Sequence, residues 1–229
     1  MSLTLYFHPF SSYCQKALIA LYENETPFVP RHINLFDPAD SALLRGVWGM
    51  RKFPVLRDDA RAETIPESSI IIEYLAQHYP GPSKLIPGDG DAARRTRLMD
   101  RFFDFYVNDQ LGKVVGDNFR PADKHDPHGV EQARATLLSA YEVLERELAG
   151  KTWATGSSFT LADCAAAPSM FYANLILPVG SHANIAAYFD RLLKRPSFAR
   201  ALKEGRQALM PAFPYSREYL ASYERSLTL

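Results

Sequence analysis

The sequence predicts a small α/β domain followed by an all-helical domain. Three observations carry that division. Up to about residue 80, short β-like runs alternate with amphipathic helical stretches. Beyond residue 92, helical periodicity persists with almost no strand signal. Between them, Tyr79-Pro80-Gly81-Pro82-Ser83 and Pro87-Gly88-Asp89-Gly90 crowd turn formers into one break. The expected boundaries are 1–81 for the first domain, 82–92 for a linker and 93–229 for the helical domain.

In chain order, Leu3-Thr4-Leu5-Tyr6-Phe7 reads as a short strand that His8-Pro9-Phe10 ends, because proline cannot donate to a central ladder. Ser11 or Ser12 then caps a helix to about Tyr22, with Ala17, Leu18, Leu21 and Tyr22 on its inner face. Phe28 to Leu35 is the second strand, and Asp37-Pro38 opens a helix with proline in its first turn. Pro54 to Leu56 and roughly Arg61 to Thr64 are two short strands joined through Asp58-Asp59. Glu67 to His78 is the third helix. In this β-α-β-α-β-β-α order the first two strands should be parallel and the last two a hairpin.

The helical half opens with an aromatic-rich helix from Ala93 to Asp109. Val130, Ala133, Leu137, Tyr141, Leu144 and Leu148 then recur at steps of three and four, an amphipathic helix. Thr160-Leu161-Ala162-Asp163 resembles a capping box with Asp replacing the usual Glu or Gln. Cys164 to Ile176 is apolar or small all round, which marks a buried central helix, with Pro168 in its early turns, where proline kinks a helix. Two more helices fit Ile185–Lys194 and Ser197–Ala208.

Composition narrows the function. The 229 residues balance 26 Lys+Arg against 26 Asp+Glu, which disfavours a broadly electrostatic nucleic-acid binder. No apolar run approaches the roughly 20 residues of a spanning helix, so no membrane partner is expected. Met1 to Phe7 lacks the basic and apolar regions of a secretory signal. Cys14 and Cys164 are the only cysteines; they form no CxxC pair and no zinc spacing, and a reducing cytoplasmic setting is expected. The histidines are scattered, without the neighbours a metal site or a catalytic triad needs.

Three segments then carry a family resemblance: Ser11-Ser12-Tyr13-Cys14-Gln15-Lys16, Lys52-Phe53-Pro54-Val55-Leu56 and Pro66-Glu67-Ser68-Ser69-Ile70. In this order, followed by Thr160-x-x-Asp163, they resemble the glutathione S-transferase family: its serine or cysteine turn with a basic residue five positions on, its cis-proline segment and its glutamate-serine helix start. The resemblance implies a thioredoxin-like N-terminal domain, an all-α C-terminal domain, glutathione as co-substrate with no metal, and a homodimer. The sequence departs from the family at Trp48-Gly49-Met50-Arg51-Lys52, where many members carry Asn-Pro-x-Gly, and at Phe53, where Val or Ile is common.

By spacing alone Ser11 reads first as a helix cap. The resemblance makes it the hydroxyl that donates to the glutathione sulfur, with Ser12 as alternative. One such charge-assisted bond contributes roughly 1.5–3 kcal/mol, enough to lower a thiol pKa from about 8.5 by one to two units. The nucleophilicity lost with basicity cancels nearly all of that gain, so positioning the electrophile beside the sulfur must supply much of the rate. The resemblance also implies that a cis Phe53–Pro54 bond exposes the Phe53 backbone to pair with the cysteinyl backbone of glutathione, as an added strand does. Glu67 and Ser68, at a helix start, suit its γ-glutamyl end, although both also read as ordinary helix-terminus residues. Lys52 is assigned to the glycine carboxylate, or to solvent. Phe10 and Tyr106 are assigned to the electrophile pocket, with selectivity expected in helix faces and in 178–187 and 211–229.

The expected activity is attack of the glutathione thiolate on a small apolar electrophile. Isomerisation, dehalogenation or peroxide reduction on the same site, a thiol transferase working through Cys14, and a non-catalytic binding or regulatory protein are the alternatives.

Overall fold

Alternating apolar residues in Leu3–Phe7 form strand β1, which buries Leu3, Leu5 and Phe7 on one face. The computed structural model describes residues 3–207; the 211–229 stretch lies outside them. Two compact units are formed, residues 3–86 with 196–207 and residues 87–195.

In the first unit β1 is followed by α1 (Ser12–Glu23), β2 (Val29–His32), α2 (Pro38–Val47), β3 (Val55–Asp58), β4 (Glu63–Pro66) and α3 (Ser68–His78). The sheet order is β2-β1-β3-β4. β1 and β2 are parallel, while β3 runs antiparallel to β1 and to β4, as the sequence order requires. Leu3, Leu5, Phe7, Leu56 and Ile65 pack one face of the sheet against Cys14, Leu18 and Leu21 of α1 and Ile71 and Leu75 of α3. The opposite face carries a smaller core of Ile33, Leu44 and Val55. α1 also packs against the last described helix of the chain, residues 196–207, where the Tyr22 hydroxyl donates to Glu204 at 2.5 Å.

Three strands differ from expectation: β3 covers Val55–Asp58 in place of 54–56, because Leu3 and Thr4 of β1 pair with Asp58 and Arg57. β2 is shorter than 28–35 and its four residues are exposed. It is an edge strand with Pro30 in its middle. Beyond it the chain turns instead of extending, because the Asp40 carboxylate accepts from the Asn34 N–H at 2.9 Å. β4 starts two residues later than expected, since Asp58 Oδ1 accepts from the N–H groups of Ala60 and Arg61 at 3.0 and 3.3 Å and the turn consumes residues 59–62.

In the second unit, the helix expected over 93–109 begins at Gly90 under an Asp89 cap. It runs as α4 (Gly90–Phe102) through a π-helical segment (Phe103–Asn108) into α5 (Asp109–Asp117). Gly112 and Gly116 do not stop it, because Leu111 and Val114 are buried on its inner face. α6 (Pro127–Glu147), α7 (Leu161–Ile176) and α8 (Ala183–Leu193) follow, and α9 (Pro196–Gln207) belongs to the first unit. α7 is buried from Leu161 to Ala173 and runs through Pro168. Its capping box is present with Asp163 at the third position. Asp163 accepts from Thr160 N and Ala154 N at 2.8 Å and from the Tyr188 hydroxyl at 2.7 Å. Burial nonetheless pushes its carboxyl above the usual range.

Asp58, at the far end of β3, is fully buried. The hydroxyls of Tyr74 and Tyr79 donate to its Oδ2 at 2.7 and 2.5 Å, tying α3 to the sheet. Burial raises its pKa, but these bonds and those from the Ala60 and Arg61 N–H groups outweigh it and leave the carboxyl below its ordinary value. A lowered folded-state pKa contributes stability that is full above the unfolded value of about 3.9 and is lost as pH falls through the folded value. Denaturant titrations should therefore show the wild type losing stability below about pH 4, with a shallower loss in Asp58→Asn. Tyr74→Phe should cost about 1.5–3 kcal/mol at neutral pH, as expected for a hydrogen bond to a charged acceptor.

Candidate active site

The register of β3 gathers three loop ends. Val55 pairs with Tyr6 of β1 on one side and with Pro66 of β4 on the other. The turn after β1, the start of β3 and the exit of β4 therefore share one end of the sheet. These are the segments around Ser11, Phe53-Pro54 and Glu67-Ser68.

At the first, the Ser11 N–H donates to the His8 carbonyl at 3.0 Å, and the Pro9 carbonyl accepts from Gln15 Nε2 at 3.0 Å, pinning the turn. Ser11 caps α1, its hydroxyl oxygen accepting a long bond of 3.4 Å from the Cys14 N–H. The cap and the candidate role are compatible, because a capping hydroxyl accepts and still carries a proton to donate. Ser12 is the first residue of α1 and is half-buried, as is Phe10.

At the second, the Phe53–Pro54 bond is cis. Among the described residues the Phe53 N–H and C=O have no hydrogen-bond partner. Lys52 is exposed beside them. The His8 ring stacks on the Phe53 ring, with centroids 6.2 Å apart and planes at 23°. His8 Nδ1 accepts from the Phe10 N–H at 3.3 Å. Burial, and secondarily the charge of His32, hold the His8 imidazole below its ordinary pKa. Both causes favour the neutral ring, and the bond from the Phe10 N–H to Nδ1 leaves the proton of that ring on Nε2. Sequence reasoning missed His8, which carries no spacing signal; only its place one residue beyond β1, across from Phe53, would have found it.

At the third, Glu67 precedes α3 with φ at 69°, in the left-handed region that costs a non-glycine residue energy. No side chain caps α3. Ser68 is only 4% exposed, yet its hydroxyl and N–H have no hydrogen-bond partner among the described residues. The Glu67 carboxylate is exposed and forms no ion pair among them. This end of the sheet thus offers an unpaired strand-like backbone, an uncapped helix N-terminus, a carboxylate and a hydroxyl. Such groups suit an extended peptide that carries a carboxylate and an ammonium group.

Residues 5–83 match the family model described as glutathione S-transferase, N-terminal domain, and residues 127–191 match glutathione S-transferase, C-terminal domain. The chain belongs to the glutathione S-transferase family. Glutathione S-transferase GstB of Escherichia coli is 25% identical over 205 residues, spanning 87% of this chain and 97% of that protein. A solved glutathione S-transferase from Methylobacterium radiotolerans, in complex with glutathione sulfonate, superposes with a TM-score of 0.78 at 26% identity, covering 95% and 97% of the two chains. A glutathione S-transferase from Methylobacillus flagellatus with glutathione bound gives a TM-score of 0.79 at 24% identity, covering 87% and 98%, a likeness of fold.

Two more sequence-derived residues, Tyr106 and Cys14, are described within their own units. Tyr106 lies on the π-helical segment of the second unit and is 52% exposed, whereas the neighbouring Phe103 is fully buried core. Cys14, three residues after Ser11, is sealed in the core of the first unit. Burial pushes its thiol up to about 12, against hydrogen bonds from the Ser11 side chain and the His8 backbone. A thiol of that pKa is protonated at neutral pH and is a poor nucleophile. A disulfide-forming thiol reagent at pH 7.5 should leave Cys14 unlabelled in the folded protein and label it on denaturation, read by peptide mass spectrometry. Rapid labelling of the native protein would refute this burial.

Proposed function

We propose that this family member is a glutathione transferase, binding reduced glutathione at the β1–β3–β4 end of the sheet and adding its sulfur to a small, mostly apolar electrophile. The observation that carries the reading is the set of unpaired groups there. The Ser68 hydroxyl and the Phe53 backbone have no hydrogen-bond partner among the described residues and match the needs of the tripeptide.

In this reading the Phe53 N–H and C=O pair with the cysteinyl backbone. The N-terminus of α3 and Ser68 receive the γ-glutamyl carboxylate, Glu67 accepts from its ammonium, and Lys52 attracts the glycine carboxylate. Ser11, or Ser12 beside it, donates its hydroxyl proton toward the sulfur, which stabilises the thiolate. Bound glutathione supplies a sulfur nucleophile: a C–S bond forms, the electrophile's leaving group departs with the bonding pair, and the thiol proton passes to solvent. Residues 1–81 form the glutathione-binding domain and the helical region after the 82–92 linker serves the electrophile, with Phe10 and Tyr106 offering it aromatic surface. A cytoplasmic homodimer completes the proposal. The buried, protonated Cys14 speaks against a thiol transferase working through that residue.

Calorimetry tests the site. Reduced glutathione should bind the wild type saturably, and the Glu67→Ala, Ser68→Ala double variant should bind at least tenfold more weakly, the loss of one or two charge-assisted bonds. No binding to the folded wild type would sink the reading and leave a non-catalytic role on this fold. Ser11→Ala should raise the pKa of the bound thiol by roughly one to two units, followed through the ultraviolet absorbance of the thiolate. Cys14→Ala should leave it in place, and the reverse outcome would move the chemistry to Cys14.

A further inference from the structure

Lys16 is 1% exposed and one of the largest fully buried side chains in the protein. It lies on α1, between the core residues Cys14 and Ala17. An ammonium group is costly to bury, and a hydrophobic residue of similar volume is often as stable or more stable in its place. Packing therefore does not explain a lysine here.

One of its contacts leads to the candidate site. Lys16 Nζ donates to Ser69 Oγ at 2.8 Å, and Ser69 is itself 3% exposed. Ser69 is the second residue of α3. A fixed positive charge thus lies under the first turn of the helix whose N-terminus is uncapped and whose Ser68 hydroxyl is unpaired. The N-terminal end of a helix dipole is also positive, so charge and dipole act with the same sign on a ligand. Water and salt screen a buried charge far less than a surface one.

We infer that Lys16 is a positioning residue for the γ-glutamyl carboxylate of glutathione. It holds Ser69, and with it the first turn of α3, and places its charge beneath the helix end that receives the anion. This assignment rests on the glutathione reading above.

The test separates charge recognition from packing. Two ligands are titrated by calorimetry: reduced glutathione, and its analogue with the γ-glutamyl α-carboxylate converted to a primary amide. The wild type should prefer glutathione. Lys16→Met should lower glutathione affinity roughly tenfold to thirtyfold while leaving the amide within about twofold, so that the preference collapses. Lys16→Arg should restore part of it. Ser69→Ala, which keeps the charge and removes its anchor, should give a smaller loss of the same kind. It decides the matter alone if circular dichroism shows that Lys16→Met does not fold. Equal weakening of both ligands, an unchanged preference, or a wild type that binds both alike would overturn the inference and leave the glutathione site standing. A wild type that binds no glutathione would instead overturn the reading beneath it.

Discussion

The pairing of β3 between β1 and β4 is the constraint on which the rest of the first unit depends. Val55 meets Tyr6 on one side and Pro66 on the other, which brings Phe53 beside His8 and Pro54 level with Glu67. A slip of one residue would turn Val55 and Leu56 to the opposite faces of the sheet. Each is fully buried against a different core, so the slip would expose apolar surface on both sides. The other end of the strand is held as firmly, since Asp58 gathers two tyrosine hydroxyls from α3 and its C-terminal cap. One four-residue strand therefore fixes the helix end that carries Glu67 and Ser68.

Several departures from the local rules of structure gather at this end of the sheet. Glu67 adopts a left-handed backbone, and the Ser68 hydroxyl and the Phe53 amide and carbonyl lack partners among the described residues. The second unit handles a similar demand in the opposite way: at the start of α7 the Asp163 carboxylate accepts from Thr160 N and Oγ1, Ala154 N and the Tyr188 hydroxyl. Left-handed residues also occur at Glu25, Arg51 and Ala62, but only at this sheet end does one stand beside an unpaired strand-like backbone and an uncapped helix, the combination a binding site needs.

Much of this was legible in the sequence. The β-α-β-α-β-β-α order, the parallel and antiparallel pairings and the buried α7 follow from apolar periodicity and from Pro, Gly and Asp at element ends. The errors have physical causes. Residues 33–35 look like strand, but only Ile33 still donates to β1, and Asp40 turns the chain at Asn34. The β3–β4 turn runs longer because Asp58 spends a carboxylate oxygen on two turn N–H groups. The α4–α5 helix outlasts its glycines because tertiary burial outweighs propensity. At the site, Ser11, Pro54, Glu67 and Ser68 are visible as residue types in order. The stacking of His8 and the burial of Lys16 are not, because both depend on which element lies across the sheet or the core.

The first unit is also discontinuous along the chain. α9 returns from beyond residue 195 to cover α1: Glu204 receives the Tyr22 hydroxyl, Ser197 donates to Glu23 at 2.5 Å, and Arg200 lies 3.9 Å over the Tyr22 ring. During synthesis, the sheet and its three helices emerge from the ribosome more than a hundred residues before the helix that seals them. Until then the Tyr22 hydroxyl lacks its Glu204 acceptor and α1 lacks the helix packed on its flank. The order of translation thus sets an interval in which the nascent sheet is complete in pairing but incomplete in cover, and the last described helix acts as the closing clasp.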